Sequence, residues 1–412
     1  MGTDENKPRG KVIDDKVLAE RRKKRKRRKV IGAAVIAAVL IILAAVLLKV
    51  FGVFEKLRPK DPNRTLKAEV IPVEYTPKGK YSVDAAGGCV IFFDDGGVTG
   101  IDAEGKWKWN STCAAADPVL RGDGEVLLVV DHGGLSAWAF GSKGLLWRYI
   151  SPDPLIGAFV SNGGKRLVTI CEQDNFESSV TLLEAEGDKL TEKFTRRFGS
   201  YRMFTAACSG DDTQLAASGM YSESGGISGV TVFLRVSDGE AYASRITDGN
   251  IYMQLNYLSD GSLIAASSES LLLTRRLPAV SGRDDAEKEL WSRMGARQMI
   301  IDTASVGGKS VAVAFADDNA SESGANSSEI AFYGSDGVRS ASLKLSGAVS
   351  DLCSYGGTVC ACAGRNIYLI NASGVLIGTC EFENEVRSIA YLEDRTVACD
   401  TGNGVFIVKF SD

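Results

Sequence analysis

Gly122-Asp123-Gly124-Glu125-Val126-Leu127-Leu128-Val129-Val130 places a turn of small and polar residues directly before five apolar ones. Gly and Asp ahead of so short an apolar run read as a tight turn feeding a strand buried on both faces. The unit occurs eight times. Its apolar runs begin at Val90, Val126, Leu167, Leu215, Leu263, Val311, Val359 and Val397, spaced 36 to 48 residues apart. A period of about 40 to 50 residues with several short strands per repeat is the pattern of a β-propeller. Each run is preceded by one short strand and usually followed by two more, so the run is the second strand of a four-stranded blade. The expected fold is all-β, an eight-bladed propeller, with a seven-bladed ring as the alternative.

The last repeat supplies three strands, 386–392, 396–400 and 405–410, and no fourth. Ahead of the first repeat, residues 66–75 alternate Leu66, Ala68 and Val70 and are interrupted at Pro72, which suits an outer edge strand. This segment is expected to complete the last blade and close the ring, so that the propeller occupies 66–412.

Upstream, Arg21 to Lys29 are nine consecutive Lys or Arg residues, and 30–48 is an uncharged block of Val, Ile, Ala, Leu and one Gly ending at Lys49. About 20 apolar residues span a hydrocarbon core as a helix, and basic flanks stay on the cytoplasmic side. The block is longer than a cleavable signal's apolar region and lacks a small-x-small site, which favours an uncleaved signal anchor. The expected order is a basic cytoplasmic tail at 1–29, a transmembrane helix at 30–50, a stalk at 51–65 and an extracytoplasmic propeller. The bilayer through 30–50 and anionic headgroups through Arg21 to Lys29 are the expected lipid partners.

Residues 1–50 carry 14 Lys/Arg and 5 Asp/Glu, a net of +9; the whole chain is −4, which leaves −13 beyond residue 50. So acidic a domain repels nucleic acid, and no nucleic-acid partner is expected.

At Gly97-Val98-Thr99-Gly100-Ile101-Asp102-Ala103-Glu104-Gly105-Lys106-Trp107-Lys108-Trp109 the chain resembles the blade motif of quinoprotein-like (PQQ-type, WD40-like) propellers. There a Leu-Asp-Ala step is followed by Gly and, four residues on, by a Trp that packs between blades. Residues 133–147 resemble a looser copy with Gly144 and Trp147, and Tyr368 to Gly374 a third without the Trp. As a whole, the chain resembles a domain-of-unknown-function family of single-pass membrane-anchored proteins of Gram-positive bacteria, which implies no activity. Trp107, Trp109, Trp138, Trp147 and Trp291 are read as interblade packing.

Candidate chemistry is sparse. His132, the one His, sits in a turn with no G-x-S-x-G elbow to serve it. Residues 317–322 offer oxygens for calcium but lack the Gly and closing Glu of an EF-hand loop, so a solvated loop is favoured. No metal, cofactor or catalytic residue is expected. If Gly356-Gly357 is a two-residue hairpin turn, Cys353 and Cys360 are directly opposed, as a strained disulfide or as two packed thiols. Thiols are favoured, because most of the nine Cys occupy packing positions.

Three insertions between second and third strands, 172–179, 221–229 and 317–329, share one face of a propeller and carry Glu172, Asp174, Glu177, Glu223, Asp317, Asp318, Glu322 and Glu329. Insertions collected on one face mark the binding face of a repeat protein; tolerated surface excursions are the plain alternative. A fourth, 278–289, belongs to the opposite face. The resulting expectation is a tethered binding or scaffolding module for an unidentified envelope protein or cell-wall component. The alternative is a quinoprotein-like or glycan-processing enzyme with its site in the central channel.

Overall fold

The computed structural model describes residues 65–412 except 162, 224–225, 276–286, 293–297 and 318–326. The expected tail and transmembrane helix lie outside these residues, as does the stalk up to 64. Among the described residues no helix is long and apolar enough to cross a membrane. The strands form eight four-stranded antiparallel sheets, and the seven-bladed alternative falls away. Blades 1 to 7 are consecutive: 82–111, 118–150, 155–198, 201–248, 254–292, 298–346 and 349–381. Blade 8 takes three strands from 388–411 and its outer strand from Lys67–Pro72.

That outer strand pairs with Val405–Ser411 from Lys67 opposite Ser411 to Pro72 opposite Phe406. Pro72 sits at the strand's last position, where its missing N–H costs the ladder least. The Val73 amide continues the pairing by donating to the Val405 carbonyl (3.0 Å), while the Leu66 amide turns outward to the Ile377 carbonyl of blade 7 (2.7 Å).

Every repeated apolar run is a second strand, and it is apolar without interruption because both of its faces are covered. In Cys89–Asp94, Val90 and Phe92 pack toward blade 8 while Cys89 and Ile91 pack toward blade 2. Each of the eight seams has its own buried cluster. The smallest, between blades 4 and 5, has Ala216, Phe233 and Leu263 as its buried members among the described residues.

The blade motif has a local physical basis. Asp102 Oδ1 accepts from the amides of Glu104 (3.0 Å) and Lys106 (2.9 Å), closing the turn into the fourth strand. Asn371 Oδ1 does the same for Ser373 and Val375, both at 3.0 Å, in blade 7. Trp109 then stacks on Phe140 of blade 2 with centroids 5.9 Å apart and planes within 8°, and its Nε1 donates to the Ser142 carbonyl (3.2 Å). Gly100, its cross-strand partner, makes room: a Cβ there would lie 2.2 Å from the indole.

Trp138, Trp147 and Trp291 also join interblade clusters. Trp107 does not, and corrects the packing expectation: it is 63% exposed, because strand residues two apart share a face only while the strand is regular, and a bulge separates Trp107 from Trp109. Trp109→Ala is therefore expected to lower unfolding free energy by about 3–5 kcal/mol in a urea titration, whereas Trp107→Ala stays within about 0.5 kcal/mol.

Candidate functional site

In an antiparallel blade the second-to-third and fourth-to-first connections lie at one end, and the remaining turns at the other. The insertions collect at the first of these ends. Two of them are not loops. In blade 3 the second and third strands run on as Arg166–Gln173 and Phe176–Glu186 around the turn Asp174-Asn175. In blade 4, Gln214–Glu223 and Gly226–Arg235 continue until Glu223 pairs with Gly226. These hairpins project beyond the interblade cores, so they need no apolar face, and a Ser- and Glu-rich composition forms strand there.

The blade 3 hairpin walls a cleft of about 500 Å³. Glu172, Asp174, Phe176 and Glu177 come from the hairpin, Asp153 and Pro154 from the connection into blade 3, Gly199 from that into blade 4, and Arg202 from blade 4's first strand, Tyr201–Cys208. Gln173 braces the cleft: its Nε2 donates to Asp153 Oδ2 (2.5 Å) and its Oε1 accepts from Arg197 Nε (3.0 Å). Arg202 pairs with Glu172. Four carboxylates against the one lining guanidinium leave the cleft negative, and Phe176, 41% exposed, supplies an apolar wall.

The structure thus brings Glu172, Asp174 and Glu177 together. Glu223 ends its strand on the neighbouring blade, and Asp317 ends Ser310–Asp317 in blade 6. Asp318 and Glu322 lie outside the described residues. Glu329 departs from the loop expectation: it lies within the strand Ser327–Gly334, opposite Phe315, and pairs with Arg339. The candidate calcium loop lies outside the described residues after Asp317, and no group of three or more His, Cys, Asp or Glu among the described residues is placed to hold a metal. His132 is an exposed turn residue beside Asp117 (Nδ1 to Oδ2, 3.4 Å).

A second polar set escaped sequence reading. On the inner strands, Asp302 of blade 6 accepts from its neighbour Thr303 (2.7 Å) and from Gln254 Nε2 of blade 5 (3.1 Å) through Oδ1, and from the Leu352 amide of blade 7 (3.2 Å) through Oδ2. Asp351 of blade 7 repeats the device, with the Leu352 amide on Oδ1 (2.9 Å) and the Ile389 amide of blade 8 on Oδ2 (2.8 Å). Asp84 of blade 1 holds the Ala85 amide (2.7 Å). Both Asp302 and Asp351 follow a bulge in their strand, which turns the carboxylate toward the next blade.

Desolvation, reinforced by the Asp351 charge, raises Asp302 to about 7 and Asp84 to about 6, and desolvation also raises Asp351. Arg121 of blade 2 lies over the Phe159 ring of blade 3, 4.5 Å from its centroid, and burial lowers its pKa. An isolated Asp in an apolar strand was the available signal.

The fold defines a WD40-like propeller. The sequence matches the family of unknown function DUF5711 over residues 69–408, and the chain belongs to that family. No curated protein sequence matches it. Among solved structures it is similar to Sqt1 of Saccharomyces cerevisiae (12% identity, TM-score 0.55, covering 84% of this chain and 99% of that one). It is also similar to the C-terminal WD40 domain of Sif2 (10%, 0.54, 85% and 99%) and to BamB from Moraxella catarrhalis (12%, 0.48, 84% and 98%). At such identities the likeness concerns the fold alone.

Because the folded pKa values of Asp84 and Asp302 exceed the unfolded value near 3.8, the folded state holds the extra protons between that value and about 6 to 7. Their contribution is fully present below the unfolded pKa and is lost as pH rises through the folded one. Melting curves taken from pH 5 to pH 8 are expected to show Asp302→Asn losing less stability than the unsubstituted chain as pH rises. Parallel pH profiles would remove Asp302 as the titrating group.

Proposed function

We propose that this protein is a membrane-tethered, extracytoplasmic binding module that captures a positively charged envelope protein or cell-wall component in the cleft of blades 3 and 4. The observation that carries the reading is the cleft itself: Asp153, Glu172, Asp174 and Glu177 beside one guanidinium and an exposed Phe. Opposite charge steers a partner and fixes its register, while a half-exposed aromatic supplies the apolar contact that salt does not screen. A hairpin of paired strands carries three of the four carboxylates, which limits the backbone ordering that accompanies binding. WD40-like propellers are similar to this chain in fold, and that architecture is consistent with an interaction module.

Tethering rests on the basic run Arg21 to Lys29 followed by the apolar block 30–48. Anionic headgroups neutralise the run on the inner side, and the propeller follows on the outer side. The chain enters blade 8 at Lys67, at the end where third-to-fourth turns lie, opposite the end that carries the cleft.

Two measurements test the reading. Capture from detergent-solubilised envelope is expected to recover a basic partner with the full chain, and at least about tenfold less with Glu172→Lys, Asp174→Lys and Glu177→Lys combined, with weaker capture in high salt. Equal capture by both chains would remove the cleft as the binding site. Deleting 30–50 is expected to move the protein from the membrane to the soluble fraction; retention in the membrane would contradict the anchor.

A further inference from the structure

The seam between blades 7 and 8 gathers five of the chain's nine cysteines. Blade 7 contributes Cys353 from its inner strand (Val349–Tyr355), Cys360 and Cys362 from its second (Thr358–Ala363) and Cys380 from its fourth (Leu376–Glu381). Cys399 comes from Thr396–Asp400 of blade 8. All five are free thiols.

Only one pair is aligned. Cys353 lies directly opposite Cys360 in the hairpin that turns at Gly356-Gly357. Cys362 faces Asp351 and Ile367, Cys380 faces Ile367, and Cys399 faces Ile389 and Phe406. Opposed residues of an antiparallel pair have Cα atoms about 4.5–5.5 Å apart, inside the range of about 4.4–6.8 Å that a disulfide spans. After burial, the Cys360 thiol is the neighbour that acts most strongly on Cys353. Cys353 is half-buried and Cys360 fully buried. Tyr391 of blade 8 is fixed beside them: its hydroxyl donates to Thr358 Oγ1 (3.0 Å) and its ring lies 5.9 Å from that of Tyr355.

We propose that Cys353 and Cys360 form an oxidation site, a thiol pair that closes to a cross-strand disulfide when the oxidant is a small-molecule disulfide. The Cys353 thiolate attacks one sulfur of the small disulfide and the other sulfur leaves, taking up a proton to become a thiol. Cys360, deprotonated in turn, attacks the Cys353 sulfur of this mixed disulfide and expels the second small thiol. One S–S bond is broken in the oxidant and one is formed in the protein. Two electrons pass from the protein to the oxidant, and the two protein protons end on the two small thiols. Cys353 begins the sequence because it is the less buried member of the pair.

Burial and the adjacent thiol hold the Cys353 pKa well above the usual thiol range. The thiolate is therefore scarce at neutral pH, and closure quickens as pH rises. The three other thiols of the seam have no aligned partner, and Cys362 is engaged with Ser350 Oγ (3.1 Å). The pair lies in the same core as Leu66, which precedes the strand that completes the ring, and Ala68, its second residue. Closure would staple the inner hairpin of blade 7 beside that joint, and an oxidising compartment supplies disulfides of the required class.

The test uses the full chain in detergent under native conditions, incubated with hydroxyethyl disulfide at mildly alkaline pH, quenched with acid, denatured and alkylated. Two of the nine thiols are expected to be lost, the intact mass to fall by two hydrogens, and the non-reducing peptide map to join Cys353 to Cys360. Cys353→Ser is expected to keep all its remaining thiols. The proposal is overturned if all nine survive, if the lost thiols map to another pair, or if the mixed disulfide stays on Cys353 without closing. The map of the unsubstituted chain carries the decision even if the variant fails to fold.

Discussion

The ring of blades is fastened end to end only if its last blade is completed, and here six residues supply that blade's outer strand. The pairing of Lys67–Pro72 with Val405–Ser411 joins the two ends of the domain. Without it, Val408 and Phe410 would lose their outer neighbour, and the seam they share with Cys360, Leu369 and Ile377 would open on one side. Apart from the seam between blades 8 and 1, every seam is made by blades that follow each other in sequence. Here, and at the adjoining seam between blades 8 and 1, contacts are recruited across nearly the whole chain, and the entropic cost of closing so long a loop is met by a ladder and a core formed together.

Within the ring, neighbouring blades are bound by two kinds of contact. Apolar side chains alternate left and right from each second strand, so each blade contributes to two cores. On the inner strands, Asp302 and Asp351 reach sideways to the amides of the next blade, Leu352 and Ile389. A carboxylate holding a backbone amide in partial burial gains hydrogen bonds and loses hydration. For these two residues and Asp84, desolvation dominates, which makes the inner rim sensitive to proton concentration in a way the apolar seams are not.

Blade number, the role of each apolar run and the closing strand were legible because each depends on a short-range pattern: a turn, an uninterrupted apolar run, an edge strand ending at proline. The facing of Cys353 and Cys360 was legible for the same reason, since a two-residue turn sets register. The hairpins of blades 3 and 4 were read as loops because they rise beyond the cores, where nothing demands apolar residues. Trp107 was misplaced by a bulge that sequence does not mark. Asp153, Gly199 and Arg202 meet the blade 3 hairpin only through the ring's geometry, so the composition of the cleft could not be read from the loop alone. The inner-rim carboxylates were missed because, apart from Gln254, their partners are backbone amides, which carry no residue signature.

The closing strand can be tested in the full chain by hydrogen exchange. Glu69 and Ile71 are in phase with Val73, whose amide donates across to Val405, so their amides face the partner strand. Replacing both by proline removes those donors, together with the half-buried Ile71 side chain that packs against the core between blades 8 and 1. Faster exchange is expected throughout Val405–Ser411 and Thr396–Asp400, with the Phe176–Glu186 strand of blade 3 affected least. Unchanged protection in blade 8 would contradict a ring held shut by this strand.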